Sequence, residues 1–395
     1  MTHTDFIPYG RQSISEDDIA AVVKSLRSDF LTQGPCVTEF EQALCAKVGA
    51  RYGVAVNSAT SALHLACLAL GIGIGDRVWT SPNTFIASAN CARYCGADVD
   101  FVDIDPRTYN MCAGKLADKL AKAKAEGKLP KVIIPVHFAG QSCDMKAIHT
   151  LSKEYGFRII EDASHAIGSK YQDKYVGNGE FSDICVFSFH PVKIITSAEG
   201  GMAVTNDEQL AKHMRTHASQ GTTKSPEELT QMPGDWYYEQ HTLGFNYRMT
   251  ELQAALGLSQ LSRLDDFITR RHEQFANYQT LLKGLPISLP YQAEDNYSSL
   301  HLFPILLPIG NEAARKGVFD ILRQTGIGTQ VHYIPVHTQP YYQALGFQTG
   351  DFPNAESYYT RTLSLPLFAD LTYAQQERVA LILKHALIAN RVMSA

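Results

Sequence analysis

A lysine in an apolar segment is the first candidate for chemistry in this 395-residue chain. Lys193 lies in the run 184–201 (ICVFSFHPVKIITSAEGG), between two predicted strands and just before a pair of glycines. Apolar surroundings remove water from an amine and lower its pKa, which makes it a nucleophile able to form a Schiff base with an aldehyde. A lysine whose ammonium group extends to the surface fits the pattern equally well.

Two further polar segments follow predicted strands. Asp162 ends the apolar run Arg158–Asp162, and open α/β sheets bind their ligands at the carboxyl ends of strands. The segment 57–63 (NSATSAL) joins a strand to a helix with small hydroxyl residues. Free N–H groups and the positive end of a helix bind phosphate there. Taken singly, Asp162 fits an N-cap as well as a ligand contact, and the hydroxyl segment fits simple capping better.

Together, the three features match the needs of one cofactor. Pyridoxal phosphate requires an anchor for its phosphate, a carboxylate beside its ring nitrogen and an amine for its aldehyde. The hydroxyl segment, Asp162 and Lys193 supply one each. We therefore predict a pyridoxal phosphate site at the carboxyl edge of the sheet.

The composition argues against other classes of partner. With 35 Lys and Arg against 40 Asp and Glu, the formal net charge is −5, and we expect neither a nucleic acid nor a membrane as partner. No apolar run reaches the roughly 18 residues of a membrane span, and Met1–Phe6 does not resemble the start of a secretion signal. The eight cysteines include no C-x-x-C pair. We expect reduced thiols, no metal site and a cytoplasmic location.

The elements that position these residues are predicted from the hydrophobic pattern. From residue 53 onward, short apolar runs alternate with longer segments of helical period, which is typical of a parallel sheet covered by helices. The predicted strands are Gly53–Asn57, Arg77–Thr80, Val99–Asp103, Lys131–Val136, Arg158–Asp162, Ile184–Phe189 and Gly201–Thr205. Two predicted helices are Ala59–Leu70 and Ser142–Tyr155, the second with Ser142 as its cap. The pattern predicts an α/β fold.

The pattern changes near residue 250. The run Met249–Leu285 contains almost no helix breakers and is predicted to form one long connecting helix. Beyond it we predict strands at Leu300–Leu307 and Gly328–Tyr333, and helices at Asn311–Thr325 and Thr372–Asn390. The predicted domains are a large α/β domain over 1–250, with an N-terminal arm over 1–12, and a connecting helix with a smaller α+β domain over 251–395.

Four motifs resemble, in order, those of the DegT/DnrJ/EryC1/StrS family of sugar-nucleotide aminotransferases. They are NSATSAL at 57–63, EDASHAIG at 161–168, SFHPVKIITSAEGG at 188–201 and GFNYRMTELQAAL at 244–256. The resemblance spans nearly the whole chain. It implies a pyridoxal-phosphate-dependent aminotransferase of fold type I, with a large domain on a mostly parallel seven-stranded sheet and a smaller C-terminal α+β domain. A dehydratase of the family has a histidine in place of the lysine, so Lys193 favours amino transfer.

The resemblance also implies roles for single residues. Lys193 matches the lysine that binds the aldehyde of the cofactor, and Asp162 matches the partner of its ring nitrogen. The residues implied to hold the phosphate are Ser58, Thr60, Ser61 and Ser188.

Three more residues match family positions around the cofactor. Phe85 matches an aromatic ring that stacks on the cofactor, and His165 matches a position near its phenolic oxygen. Asn246 matches an asparagine that reaches the phosphate from the neighbouring subunit. The resemblance therefore implies a homodimer with shared active sites.

Segments at both ends of the chain are similar to the pseudaminic-acid branch of this family: IPYGRQ at 7–12, LTQGP at 31–35 and HYIPVH at 332–337. That branch aminates C4 of UDP-2-acetamido-2,6-dideoxy-β-L-arabino-hex-4-ulose, with L-glutamate as the amino donor. The candidate substrate residues are Tyr9, Thr32, His190, His332 and His337, of which the histidines fit other, non-substrate roles equally well. Another UDP-linked or dTDP-linked keto-sugar, such as a 4-keto-pentose or a 3-keto-hexose, stays open, as does a non-catalytic cofactor-binding protein.

Overall fold

A computed structural model describes residues 6–308 and 312–394 of the chain. Its strands are β1 (Tyr52–Val56), β2 (Arg77–Thr80), β3 (Asp98–Phe101), β4 (Val132–Ile134), β5 (Arg158–Asp162), β6 (Lys170–Tyr171), β7 (Lys174–Tyr175), β8 (Ile184–Ser188), β9 (Gly201–Thr205), β10 (Thr222–Thr223), β11 (Glu239–Gln240), β12 (Asn296–Tyr297), β13 (Phe303–Leu306) and β14 (Thr362–Leu365). Its α-helices are α1 (Glu16–Leu26), α2 (Pro35–Val48), α3 (Ala59–Ala69), α4 (Ala87–Tyr94), α5 (Ala113–Ala125), α6 (Met145–Tyr155), α7 (Glu208–Ala218), α8 (Glu251–Ser262), α9 (Leu264–Leu281), α10 (Glu312–Gln324), α11 (Pro340–Gln343), α12 (Pro353–Arg361) and α13 (Tyr373–Ala389).

The seven strands predicted from the apolar runs form one sheet, in the order β1-β9-β8-β5-β4-β2-β3. Strands β3, β2, β4, β5 and β8 are parallel to one another, whereas β9 is antiparallel to both β8 and β1. Every residue of β8 and β9 is buried, as expected where helices cover both faces of a sheet. The predicted mostly parallel seven-stranded sheet is confirmed.

The ends of three strands meet at one edge of this sheet. Because β1, β5 and β8 point in the same direction, Asn57 after β1, Asp162 at the end of β5 and Ser188 at the end of β8 share that edge. Helix α3 begins there with Ser58 as its N-cap, whose Oγ accepts the N–H of Ser61 at 3.1 Å. The topology therefore places the residues predicted to bind the cofactor at the same edge of the sheet.

A second hydrophobic core lies in the C-terminal third. Strands β13 and β14 pair antiparallel, and α10 and α13 pack beside them and each other. Ile7 of the N-terminal arm joins this core: its N–H donates to Gly326 at 2.9 Å, and its carbonyl accepts from Gly328. Residues 1–5 of the arm lie outside the described residues. We propose that the boundary between the two domains lies between residues 250 and 251.

The predicted long helix Met249–Leu285 is wrong in its continuity, since α8 ends and α9 begins on either side of Arg263. The backbone of Arg263 leaves the helical region, and its Nη2 donates to the carbonyl of Ser13 at 2.8 Å. The same guanidinium is paired with Asp18 of α1. A contact with a distant segment thus accompanies the break.

Two local predictions also differ from the structure. The segment Gly328–Tyr333 is not a strand, because it pairs with its neighbours only through single bridges such as Gln330 with Ser364. Helix α6 is capped by Asp144, whose Oδ1 accepts the N–H of Ala147 at 3.1 Å, and not by Ser142. The predicted helix Asn311–Thr325 is present as α10, although Asn311 itself lies outside the described residues. Across the described ranges, no helix combines the length and apolarity needed to cross a membrane.

Candidate active site

A cavity of about 890 Å³ opens at the carboxyl edge of the sheet. It is lined by residues from the large sheet, from α3 and from the C-terminal segment around residue 332. The predicted site residues in its wall are Tyr9, Ser58, Thr60, Ser61, Phe85, Asp162, His165, Ser188, His190, Lys193 and His332. The structure therefore brings together most residues selected from the sequence.

Lys193 follows β8, and its backbone N–H donates to the carbonyl of His190 at 2.9 Å. Its half-buried side chain lines the cavity. Burial lowers the pKa of Lys193 to about 8, and the charge of the nearby Asp162 carboxylate opposes the decrease. A substantial fraction of the amine is therefore neutral and nucleophilic near physiological pH.

Asp162 is buried at the end of β5 and held by two hydrogen bonds. Its Oδ2 accepts from the hydroxyl of Ser88 at 2.6 Å, and its Oδ1 accepts the N–H of Ser164 at 3.1 Å. The Ser88 hydroxyl also contacts Thr84 Oγ1 at 2.7 Å. These bonds fix the carboxylate in the cavity wall, where it can stabilise a positive charge.

The start of α3 forms a small cradle of hydroxyl groups. The Oγ atoms of Ser58 and Ser61 are 3.0 Å apart, and that of Ser61 donates to Asn57 Oδ1 at 2.7 Å. A Cβ added at Gly201 would overlap the backbone of Ala59, so only glycine lets β9 approach the helix start this closely. A helix N-terminus with hydroxyl donors in a cavity wall fits the phosphate of the predicted cofactor.

Aromatic side chains also line the cavity. The ring of Phe85 is 58% exposed, and its centroid lies 6.4 Å from that of Tyr333. Tyr9 lies 5.4 Å from the ring of His332. An exposed aromatic face beside a cavity is available to stack on a planar ligand.

Two buried imidazoles, His165 and His332, lie close to Lys193. Burial and the positive charge of Lys193 lower the pKa of His165 well below its ordinary value and that of His332 to about 3. Nδ1 of His332 is bonded to the hydroxyl of Ser364 at 2.8 Å. Both rings are therefore neutral at physiological pH and form hydrogen bonds without adding charge to the cavity.

Two predicted substrate residues lie away from the cavity wall. Thr32 is exposed and forms an isolated bridge with Thr250. His337 is fully buried, with Nε2 bonded to Glu356 at 2.8 Å and its ring edge-on to Phe352 at 4.8 Å. Within this subunit, His337 is therefore a packed core residue and does not reach the cavity.

Asn246 is also outside the cavity lining of its own subunit. Its side chain is exposed, and its carbonyl oxygen accepts from Asn57 Nδ2 at 3.5 Å. It therefore lies near the strand end that carries the hydroxyl cradle but does not reach into the cavity.

Sequence reasoning missed several residues of the site. Ser88, Thr84, His301 and Tyr333 line the cavity and had no assigned role. Ser88 lies within a helical pattern, where a serine gives no signal of its own. Tyr333 belongs to the quoted segment HYIPVH, and its position next to His332 was the available hint.

The fold and the site define a pyridoxal-phosphate-dependent aminotransferase of fold type I. The chain belongs to the DegT/DnrJ/EryC1/StrS aminotransferase family, which matches residues 12–384. It is 41% identical over 373 residues to the spore coat polysaccharide biosynthesis protein SpsC of Bacillus subtilis, covering 93% of each chain.

Solved structures agree with this assignment. Helicobacter pylori PseC, an aminotransferase involved in the biosynthesis of pseudoaminic acid, superposes with a TM-score of 0.89 and 32% identity over 97% of this chain and 100% of that chain. The putative sugar aminotransferase Spr1654 of Streptococcus pneumoniae in its PMP form gives a TM-score of 0.89 with 30% identity, over 98% of this chain and 100% of the other. Spr1654 has also been solved in its PLP form.

Proposed function

We propose that this protein transfers an amino group from L-glutamate to the C4 ketone of UDP-2-acetamido-2,6-dideoxy-β-L-arabino-hex-4-ulose, in the formation of pseudaminic acid. The proposal is supported by the likeness to PseC over nearly the full length of both chains. It is also supported by the motifs at both ends of the chain that are similar to the pseudaminic-acid branch.

The main structural support for a nucleotide-linked substrate is a second cavity of about 770 Å³ beside the first. The two share five lining residues, which are Tyr9, Thr84, Phe85, His332 and Tyr333. The second cavity has aromatic walls that include Tyr94 and Tyr341, and Arg93 also lines it, with Nη1 of its guanidinium bonded to the carbonyl of Ala97 at 2.7 Å. Aromatic faces suit a base, and a guanidinium suits a phosphate. The second cavity therefore adds space beside the one that contains the predicted cofactor residues.

The site residues have separate roles in the proposed reaction. When bound, pyridoxal phosphate supplies an aldehyde that carries the amino group and a ring that accepts electrons from the neighbouring carbon. The hydroxyls of Ser58 and Ser61 would bind its phosphate, and Asp162 would hold the proton at its ring nitrogen. The amine of Lys193 would remove the proton from Cα of glutamate; the amino group stays with the cofactor, and water supplies the ketone oxygen of the 2-oxoglutarate that leaves. In the second half-reaction, Lys193 would deliver a proton to C4 of the sugar, whose ketone oxygen leaves as water.

The substrate is tested with a panel of UDP-linked and dTDP-linked keto-sugars, each with glutamate, and with products identified by mass and NMR. We expect the UDP-linked L-arabino 4-ketose to be the most efficient acceptor, with the new amine at C4. The Lys193→Ala variant, run on the same panel, gives the background. Efficient turnover of the C5 epimer, a 4-keto-pentose or a 3-keto-hexose, with none of the L-arabino sugar, would refute the assignment.

We further propose a cytoplasmic homodimer with shared active sites. The eight cysteines are free thiols, which agrees with a reducing compartment. Asn246, exposed beside the cradle edge of its own subunit, is placed by this proposal against the phosphate of the partner subunit.

Mixing two inactive variants tests this arrangement. If Lys193→Ala and Asn246→Ala are each nearly inactive, a mixed dimer has one intact site only when Asn246 acts across the interface. Statistical assembly then restores about a quarter of wild-type activity, because half of the dimers are mixed and each has one working site of two. The measurement is activity after the variants are refolded together at equal amounts.

Refolding each variant alone gives the control for this experiment. A mixture that stays inactive, although mixed dimers have formed, means that Asn246 acts within its own subunit or as a local turn residue. High activity of Asn246→Ala alone would remove the residue from the phosphate site.

A further inference from the structure

Tyr333 lies in the wall that the two cavities share. Its ring is half-buried, and its hydroxyl lies 3.1 Å from Nε2 of His165. Anything that reaches Lys193 from the second cavity must pass the five shared residues, of which Tyr333 is one. Because its partner His165 lines only the first cavity, the hydroxyl of Tyr333 lies on the side of the shared wall that belongs to the cavity of Lys193.

The direction of the hydrogen bonds around His165 can be assigned. The backbone N–H of Ala139 donates to Nδ1 of His165 at 3.3 Å, so Nδ1 is an acceptor and carries no proton. The pKa of His165 lies well below its ordinary value, because of burial and the charge of Lys193. The neutral ring then holds its proton on Nε2.

This assignment decides what the Tyr333 hydroxyl can do. Since Nε2 of His165 is the donor, the oxygen of Tyr333 is the acceptor in the bond between them. The proton of the Tyr333 hydroxyl is thus left available to a group in the cavity. Burial raises the pKa of Tyr333 well above its ordinary value, so the phenol stays protonated at physiological pH.

We propose that Tyr333 donates a hydrogen bond to the ketone oxygen of the sugar substrate, oriented for this by the N–H of His165. The ketone is the reacting group of the sugar, and its oxygen is an acceptor that matches a permanently protonated hydroxyl. A donor aimed at this oxygen stabilises the negative charge that grows there when the amine attacks C4. This inference rests on the proposed keto-sugar aminotransferase function.

The test separates the two half-reactions of Tyr333→Phe. Each is followed in a single turnover by the visible absorbance of the bound cofactor, first with glutamate and then with the keto-sugar. We expect the glutamate half-reaction to stay within about twofold of wild type, and the sugar half-reaction to slow by roughly 10- to 100-fold, since one donor to a developing oxyanion is lost. The affinity for pyridoxal phosphate and the melting temperature report whether the variant is folded and loaded.

Tyr297→Phe is the matched control. The ring of Tyr333 is stacked on that of His165, with centroids 6.0 Å apart. Tyr297 likewise stacks on His272 at 4.4 Å, but it is exposed and outside both cavity linings. It should keep both rates. If the wild-type enzyme does not use the L-arabino sugar, the proposed substrate fails, and the comparison is made with the keto-sugar of the panel that the wild type accepts.

The remaining outcomes overturn the inference. Equal slowing of both half-reactions, or a changed pH midpoint of the absorbance of the cofactor without substrates, would place the Tyr333 hydroxyl on the cofactor. Unchanged rates in both half-reactions would show that the hydroxyl contributes nothing to the reaction.

Discussion

Replacing Lys193 by alanine is expected to abolish covalent retention of the cofactor and to lower amino transfer by about 10³-fold or more, because the nucleophile and the general base are lost together. Borohydride reduction of the loaded wild-type enzyme should fix the pyridoxyl group on Lys193, as read by peptide mapping. Retained label or retained turnover in Lys193→Ala would disprove its role.

The pH dependence of cofactor attachment follows from the pKa of Lys193, which burial lowers to about 8. Only the neutral amine attacks an aldehyde, so the rate should rise about tenfold per pH unit below pH 8 and level off above it. An ordinary lysine would continue to gain rate up to a pH of about 10. The measurement is the rise of the visible band when apoenzyme is mixed with pyridoxal phosphate between pH 6.5 and 9.5.

Lys119 provides a comparison within the same chain. Burial lowers the pKa of Lys119 as well, but it is paired with Asp100 and is outside the cavity lining. A label on Lys119 would show that a lowered pKa, and not the position in the cavity, selects the reactive amine.

The central sheet could be predicted because its strands are buried on both faces. Strands β2, β5 and β9 have the predicted bounds, since a strand covered on both faces appears as an apolar run that ends at polar or turn residues. The edge where ligands bind follows from the direction of the parallel strands, so the approximate location of the site follows as well.

The two predictions that failed, the continuous helix and the strand at Gly328–Tyr333, depend on contacts between distant segments. The break at Arg263 accompanies a bond to Ser13, a residue 250 positions away in sequence. The segment Gly328–Tyr333 is extended by pattern, yet its partners, Ile7 and Ser364, lie on two different segments. Neither outcome is encoded in local hydrophobic period.

The site, like the fold, contains some residues that the sequence could indicate and others that it could not. Lys193 and Asp162 could be selected because a charged residue within or at the end of an apolar run is uncommon and needs a reason. Ser88 could not, because its role depends on the packing of α4 against β2 and β3, after which its hydroxyl lies 2.6 Å from Asp162 at the end of β5. The direction of the hydrogen bond between His165 and Tyr333 is set by the backbone N–H of Ala139, which donates to Nδ1 of His165. A backbone donor of this kind cannot be found from a pattern of side chains.

Replacing Asp162 by asparagine is expected to lower kcat by roughly 10² or more, about 2.7 kcal/mol of transition-state stabilisation. The asparagine keeps the shape of the side chain but loses the negative charge that holds a proton at the ring nitrogen of the cofactor. The measurement is kcat at saturating cofactor and substrates, with the affinity for pyridoxal phosphate determined separately.

Asp103→Asn is the control for the loss of a buried carboxylate as such. Asp103 follows β3, is buried, and accepts the N–H of Ala355 at 3.0 Å, but it does not line the cavity. Its replacement should lower the melting temperature and leave kcat close to wild type. Because both aspartates lie just beyond or at the end of a strand of the same sheet, a kcat loss confined to Asp162→Asn would assign the effect to the cavity. A near wild-type kcat in Asp162→Asn would mean that another group holds the proton at the ring nitrogen.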